Sequence, residues 1–197
     1  SAPQITPGQF LTILNIGIND ATLPALARRV GDMALAQNLY ARLIEKFLVD
    51  VYGHSEKDIE EDLRKLGISP DRPDLRLDAM QALFMQYRNE AFPQDPYEQL
   101  RRALDAIQHT ARYSTPVRSE FEGGIVVQRM VFGVGANSFA GEVASRDPET
   151  GAEEMRGNIE PGVQGDMTTG RTRVDAGFFG QAPGATAYLR RILEEGE

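Results

Sequence analysis

The hydrophobic pattern of the chain is clearest between Met33 and Tyr52. Apolar residues recur there at every fourth position, namely Leu35, Leu39, Leu43, Phe47 and Val51. Because an α-helix has about 3.6 residues per turn, this spacing predicts an amphipathic helix over residues 33–52. Gly53 follows directly, in the position that glycine favours after a helix, and is expected to end it.

Two more helices are predicted by the residues that begin and end them. Ser55, with Asp58 three residues later, resembles a capping box in front of a helix that Gly67 ends. A further helix is predicted from Leu77 to Glu90, with an apolar side formed by Met80, Leu83, Phe84 and Tyr87.

The next helix start is marked by Asp95 and Pro96, since aspartate caps a helix and proline suits its first position. Near the beginning of the chain, Asn19 and Asp20 are expected to cap the helix that follows them. We therefore predict a helical subdomain over residues 1–115.

The pattern changes to short runs of β-branched and aromatic residues after Gly124. The run Ile125–Phe132 predicts one strand and the run from 139 to 145 a second. Turn residues at 147–151 and a short run at 153–156 suggest an antiparallel return. The predicted fold class is therefore α+β, with a small and incomplete antiparallel sheet over residues 116–197.

Composition narrows the class of protein. The hydrophobic content of 41% and charged content of 25% are ordinary for a globular protein, and no apolar run approaches the roughly 20 residues that span a bilayer. The absence of cysteine excludes disulfides and thiolate metal sites, and fits a cytoplasmic protein. The net charge of −8 argues against a nucleic-acid partner. We expect neither nucleic acid nor a membrane as a partner.

The cations also limit how phosphate can be held. The chain has three lysines among its 21 basic residues, and none follows Lys65. A phosphate bound by the second half of the chain would therefore need arginine, backbone N–H groups or a metal ion.

Several blocks of the sequence resemble those of a known family. The segments VVQRMVFG, SRDPETG and VQGDMTTGRT are similar to VQxMVFG, FTRNPxTG and NAQGEDVVAGxRT of the pyruvate, phosphate dikinase family. Upstream, residues 7–20 resemble its PGMMDTVLNLGLND, Tyr40 and Arg42 stand where it has YRRF, and FPQDP at 92–96 resembles its FPxDP. The blocks occur in family order over most of the chain.

The resemblance implies that the predicted sheet is part of an ATP-grasp fold, which holds ATP between two α+β pieces. The strand at 127–131 then resembles the hinge that contacts adenine, with Gln128 and Met130 as candidate residues. Without the resemblance, the same residues would be interpreted as an ordinary buried strand.

The resemblance also implies phosphate contacts. Ser138 and Gly141 align with a glycine-rich loop, although Phe139 stands where the family has glycine. Ser145 and Arg146 match the Thr-Arg of FTRNP; Arg146 contacts phosphate in one interpretation and anchors the turn in another. The shortened last block contributes Gln164 and Arg171 as candidates, whereas Asn158 replaces a family glutamate.

Two functional hypotheses follow. In the first, the chain is a fragment or shortened relative of the ATP-binding domain of a dikinase, whose family converts ATP, pyruvate and phosphate into phosphoenolpyruvate, AMP and pyrophosphate with ATP and Mg as cofactors. The family's upstream lysine and arginine and its downstream DxEF strand are not in residues 1–197, so we expect weak nucleotide binding, no turnover by the chain alone, and the remaining dikinase domains as partners. In the second, the chain is a non-catalytic interaction or regulatory module on a decayed ATP-grasp scaffold.

Overall fold

The computed structural model describes residues 11–68, 73–114, 124–132, 139–144, 146–147, 150–152 and 156–161. The chain divides into two compact units, Ser1–Met130 and Val131–Glu197. The predicted division after residue 115 falls between residues outside the described ranges and stays a prediction.

The described part of the first unit is helical. Its elements are α1 (Leu23–Val30), α2 (Met33–Lys46), a π-helical turn (Phe47–Val51), α3 (Glu56–Lys65), α4 (Pro73–Arg88) and α5 (Pro96–Ser114). Helix α2 packs against both α1 and α4, and its buried side chains form the centre of the core.

The helix predicted over 33–52 is confirmed and starts where expected. Asp32 caps it, because its Oδ1 accepts hydrogen bonds from the N–H groups of Ala34 (2.8 Å) and Leu35 (3.2 Å). The predicted apolar stripe is buried at Leu39, Leu43 and Phe47. Packing of these apolar side chains, more than helix propensity, stabilises the helix.

The end of this helix departs from the regular period in a way that the sequence pattern does not predict. The N–H of Tyr52 donates to the carbonyl of Phe47 at 3.0 Å, an i→i−5 bond that defines a π-turn. Gly53 then adopts a φ of +72°, and the N–H of His54 reaches the carbonyl of Leu48 at 2.9 Å. This is the left-handed ending expected of glycine. Tyr52, directly after the π-turn, contacts Arg88 and Arg102.

Phe92 lies at the centre of an aromatic cluster that joins α2 to α4. Its ring meets those of Tyr40, Phe47 and Phe84 edge-on, with centroids 5.9, 5.2 and 5.2 Å apart. The segment that precedes α5 is thereby fixed to the core.

The predicted caps of α3 and α5 are confirmed. The Ser55 Oγ accepts from the Asp58 N–H at 3.4 Å, and the Asp95 Oδ1 accepts from the Tyr97 N–H at 2.9 Å, with Pro96 in the first turn. Helix α4 begins four residues earlier than the predicted Leu77, at Pro73, a residue that suits a first helical position.

Asn19 closes a turn rather than capping a helix directly. Its Oδ1 accepts from the N–H of Thr22 at 2.7 Å, and α1 begins only at Leu23. The predicted cap at Asn19 and Asp20 is therefore displaced by about one turn.

The predicted fold class, α+β with a small antiparallel sheet resembling part of an ATP-grasp fold, is wrong: the described residues are predominantly helical. The predicted first strand, Ile125–Phe132, forms no strand. Its side chains at Val126, Val127 and Val131 are 81%, 62% and 80% exposed. Residues of high β-propensity gain stability by packing against side chains of a neighbouring strand, and these three valines are not buried by such packing.

The described residues of the second unit pair in one two-stranded ladder. Strand β1 (Phe139–Ala144) runs antiparallel to β2 (Arg156–Pro161), with Gly141 opposite Ile159. The predicted return run at 153–156 overlaps β2 only at Arg156. Two paired strands among the described residues do not amount to the predicted sheet.

Candidate functional site

Three blocks that carry the family resemblance meet at one place in the first unit. They are the loop 15–20, Tyr40 of α2, and the segment 92–96 in front of α5. We refer to residues 15–20 as the motif loop.

The motif loop has an uncommon backbone conformation. Asn15 has a φ of +67° and Gly17 a φ of +101°, and the N–H of Ile18 donates to the carbonyl of Asn15 at 3.2 Å. Left-handed φ values suit glycine, and asparagine tolerates them better than most residues, so neighbouring contacts are needed mainly to select this conformation of the loop.

Gln99 of α5 supplies those contacts. Its side chain is fully buried; its Oε1 accepts from the Gly17 N–H at 2.7 Å, and its Nε2 donates to the carbonyls of Ile18 (3.0 Å) and Pro93 (2.7 Å). One amide therefore satisfies three backbone groups from two separate segments. Without it these groups would be buried without hydrogen bonds.

Gln94 makes a second set of bonds nearer the surface. Its Nε2 donates to the Tyr40 hydroxyl at 2.9 Å, and its Oε1 accepts from the N–H of Asp20 at 2.9 Å. Its carbonyl accepts from the Asn19 Nδ2 at 2.7 Å. Burial raises the pKa of Tyr40 above its ordinary value, so the hydroxyl keeps its proton at neutral pH.

Asp20 ends the motif loop with an exposed carboxylate whose position is fixed. Gln81 of α4 donates from Nε2 to the Asp20 Oδ1 at 3.0 Å. The backbone and the side chain of Asp20 are thus held by two different glutamines. The motif loop presents this carboxylate in one defined orientation.

Arg102 organises a second polar cluster where the π-turn, α4 and α5 meet. It donates to the Tyr52 hydroxyl at 2.6 Å, to Glu90 at 2.7 and 3.1 Å, and to Glu98 at 2.6 Å. Hydrogen bonds from Arg101 and Arg102 lower the pKa of Glu98 to about 2, and the bond from Arg102 lowers the pKa of Glu90. Arg88 packs over the Tyr52 ring, 3.9 Å from its centroid.

The predicted nucleotide-binding residues fall in different parts of the chain. Gln128 is exposed and Met130 half-buried, both in the irregular stretch 124–130 at the end of the first unit. Gly141 lies in β1 and Arg146 is exposed in the second unit. The remaining candidates, Ser138, Ser145, Gln164 and Arg171, lie outside the described residues.

The predicted turn after Arg146 is built by Asp147. Its Oδ1 accepts from the Thr150 N–H at 2.9 Å, its carbonyl accepts from the Gly151 N–H at 2.8 Å, and its N–H donates to the Ala152 carbonyl at 3.0 Å. Gly151 adopts the positive φ, +73°, that this turn requires. Arg146 is therefore attached to a hydrogen-bonded turn.

In the described ranges, no group of three or more histidine and carboxylate side chains could hold a metal ion. Among the described helices, none is long and apolar enough to cross a bilayer.

Gln99 and Arg102 were missed by the sequence interpretation. Gln99 precedes the buried Ala103 by four residues, so it lies on the inward side of α5, where an amide is unexpected. That polar residue on an apolar face was the available signal. Arg102 gave no comparable signal, because arginine is ordinary on a helix surface.

Comparison with known proteins identifies the relatives of this chain. No family model matches it. Pyruvate, phosphate dikinase of Rhizobium meliloti is 31% identical over 81% of this chain, the chloroplastic enzyme of Mesembryanthemum crystallinum is 30% identical over 81%, and that of Clostridium symbiosum is 29% identical over 81%.

These matches are to dikinases throughout, which confirms the predicted family. Over the matched segment the chain is a homologue of pyruvate, phosphate dikinases. It spans about a fifth of the length of these relatives, 19% to 21%.

Proposed function

We propose that this chain forms part of the nucleotide-binding region of a dikinase-type phosphotransferase. The whole enzyme would convert ATP, pyruvate and phosphate into phosphoenolpyruvate, AMP and pyrophosphate. The proposal rests on the contacts among the motif loop, Tyr40 and the 92–96 segment. Residues that resemble three separate blocks of the family hydrogen-bond to one another there. The similarity over 81% of the chain supports it.

Adenine would bind beside Gln128 and Met130. The stretch 124–132 belongs to no strand or helix, and Gln128 is exposed to solvent. Peptide groups outside a ladder can pair with the edge of a base, while an apolar side chain such as that of Met130 covers its ring.

Arg146 would contact a phosphate of the nucleotide. It is exposed, and the hydrogen-bonded turn at Asp147 fixes its backbone. A guanidinium is suited to phosphate because it donates parallel hydrogen bonds from a planar fork. Ser138, Gly141, Ser145, Gln164 and Arg171 complete the proposed phosphate contacts.

The described residues contain no group of three or more carboxylate or histidine side chains that could hold a metal ion by themselves. Because few protein groups would then neutralise the triphosphate, nucleotide binding by this chain alone should be weak, with a Kd poorer than about 1 mM.

The test is an NMR titration of the chain with Mg-ATP up to about 10 mM, ten times that limiting Kd. We expect the amide signals of Gln128, Met130, Gly141 and Arg146 to shift together in fast exchange. In the variant Arg146→Met the shifts should need more nucleotide, whereas the control Arg129→Met should titrate like the parent. Shifts confined to other residues, or equal effects of the two variants, would count against the proposal.

The second hypothesis is a non-catalytic interaction module derived from the same family. The replacement of family residues by Phe139 and Asn158 favours it. In that case the amides of the candidate residues would remain unchanged at every nucleotide concentration.

A further inference from the structure

We infer that Gln99 is the positioning residue of the motif loop, so that the loop keeps its conformation only while the segment in front of α5 stays in place. This inference concerns the described helical unit and is independent of nucleotide binding.

The contacts of Gln99 cross a long distance in sequence. Gly17 and Ile18 are 82 and 81 residues away from Gln99, whereas Pro93 is six residues away. A single side-chain amide therefore bridges the motif loop to the 92–96 segment. Releasing either segment would leave part of a fully buried amide without a partner, which is costly.

The motif loop needs such an external support. Its own backbone bond, from the Ile18 N–H to the Asn15 carbonyl, is 3.2 Å long and closes a turn that contains two residues with positive φ. At Gly17 an added Cβ would meet only the Pro96 Cβ, at 3.9 Å, so glycine is present for its φ and not for lack of space. Hydrogen bonds therefore add to the burial of Ile18 in holding this conformation.

Gln94 provides a matched comparison within the same segment. It also bonds the motif loop, through the Asp20 N–H, and it also uses both ends of its amide. Gln94 is exposed, however, so water can replace its bonds when the side chain is removed. Burial, and not the number of bonds, should decide which glutamine fixes the loop.

The experiment is hydrogen exchange of the full chain in the variants Gln99→Met and Gln94→Met, with the Ile18 amide as the readout. This amide does not bond to either glutamine, so it reports the loop conformation rather than a deleted bond. The amide of Met80, in the middle of α4, serves as the reference for the core. In Gln99→Met we expect Ile18 to exchange at least about tenfold faster relative to Met80, and in Gln94→Met we expect no change in that ratio.

If the exchange rate of Ile18 relative to Met80 is unchanged in Gln99→Met, the inference is wrong, because Gln99 would then affect the whole core equally or have no effect. An equal rise of this relative rate in both variants would overturn the inference as well. If Gln99→Met does not fold, the variant Gln99→Asn takes its place, because it keeps an amide but has a shorter side chain. The exchange rate of Ile18 relative to Met80 is then measured in that variant. Failure of both variants to fold would mean that Gln99 is needed for the unit as a whole, which also contradicts a specific role in the loop.

Discussion

Arg102 donates to both carboxylate oxygens of Glu90, with Nη1–Oε1 at 2.7 Å and Nη2–Oε2 at 3.1 Å. This two-point contact ties α5 to the segment that follows α4, and the same guanidinium also reaches the hydroxyl of Tyr52. Arginine suits this place because its planar fork matches a carboxylate and still has donors for other partners.

Replacing Arg102 should therefore destabilise the helical unit. We expect Arg102→Met to lower the free energy of unfolding by about 2 kcal/mol, because its side chain is largely buried and leaves Glu90 and Tyr52 without their donor. The control is Arg101→Met, whose side chain is 60% exposed and should cost less than about 0.5 kcal/mol. Urea unfolding of both variants measures the difference. Equal losses would show that the cluster adds no specific stability.

The same cluster should make stability depend on acid. The pKa of Glu98 is lowered from 4.5 to about 2 by hydrogen bonds from Arg101 and Arg102. A carboxyl whose folded pKa is depressed contributes stability above its unfolded pKa, and loses it as the pH falls through the folded value. The loss should therefore occur between pH 4.5 and about 2.

Unfolding of the parent and of Glu98→Gln across this pH range measures the effect. The variant cannot titrate at this position, so its stability should fall less steeply with acid than that of the parent. Identical slopes would mean that Glu98 has the same pKa in the folded and unfolded chain.

The helices were predictable because their signals are local. The four-residue stripe of α2, the serine before α3 and the Asp95–Pro96 pair each act within one or two turns. Turn chemistry at 147–151 was predictable for the same reason. The earlier start of α4 shows the usual limit of such signals, since Pro73 can either precede a helix or open one.

The errors lie where distant residues decide the structure. The run Ile125–Phe132 has the composition of a strand, but a strand also needs a neighbour, and composition does not supply one. The π-turn precedes Tyr52, whose partners Arg88 and Arg102 lie in other helices that the local pattern does not reveal. The role of Gln99 depends on two segments that no spacing in α5 reveals. For the nucleotide-binding candidates, sequence similarity remains the main support.

The ion pair between Glu45 and Arg76 offers another test of packing between α2 and α4. Arg76 Nη2 lies 3.0 Å from Glu45 Oε2, and the two side chains are 17% and 3% exposed. Arg76→Met would leave the Glu45 carboxylate buried and unpaired, at an expected cost of about 3 kcal/mol.

The double variant Glu45→Leu with Arg76→Met removes both charges and should recover part of that loss, because an apolar pair of similar size carries no desolvation penalty. Denaturant melts of the single and double variants form the measurement. A double variant that is less stable than Arg76→Met alone would contradict this account of the pair.

The last prediction concerns Phe139, which replaces a family glycine at the beginning of β1 and lies opposite Pro161. Burial of a phenylalanine side chain contributes roughly 1.5 to 3 kcal/mol, and glycine weakens a strand. We therefore expect Phe139→Gly to lower the free energy of unfolding by more than about 1 kcal/mol without creating tight nucleotide binding. Denaturant melts and calorimetric titration with Mg-ATP test the two parts on one variant. A variant as stable as the parent that binds ATP tightly would show that the ring only covers a working phosphate site, and the non-catalytic alternative would fail.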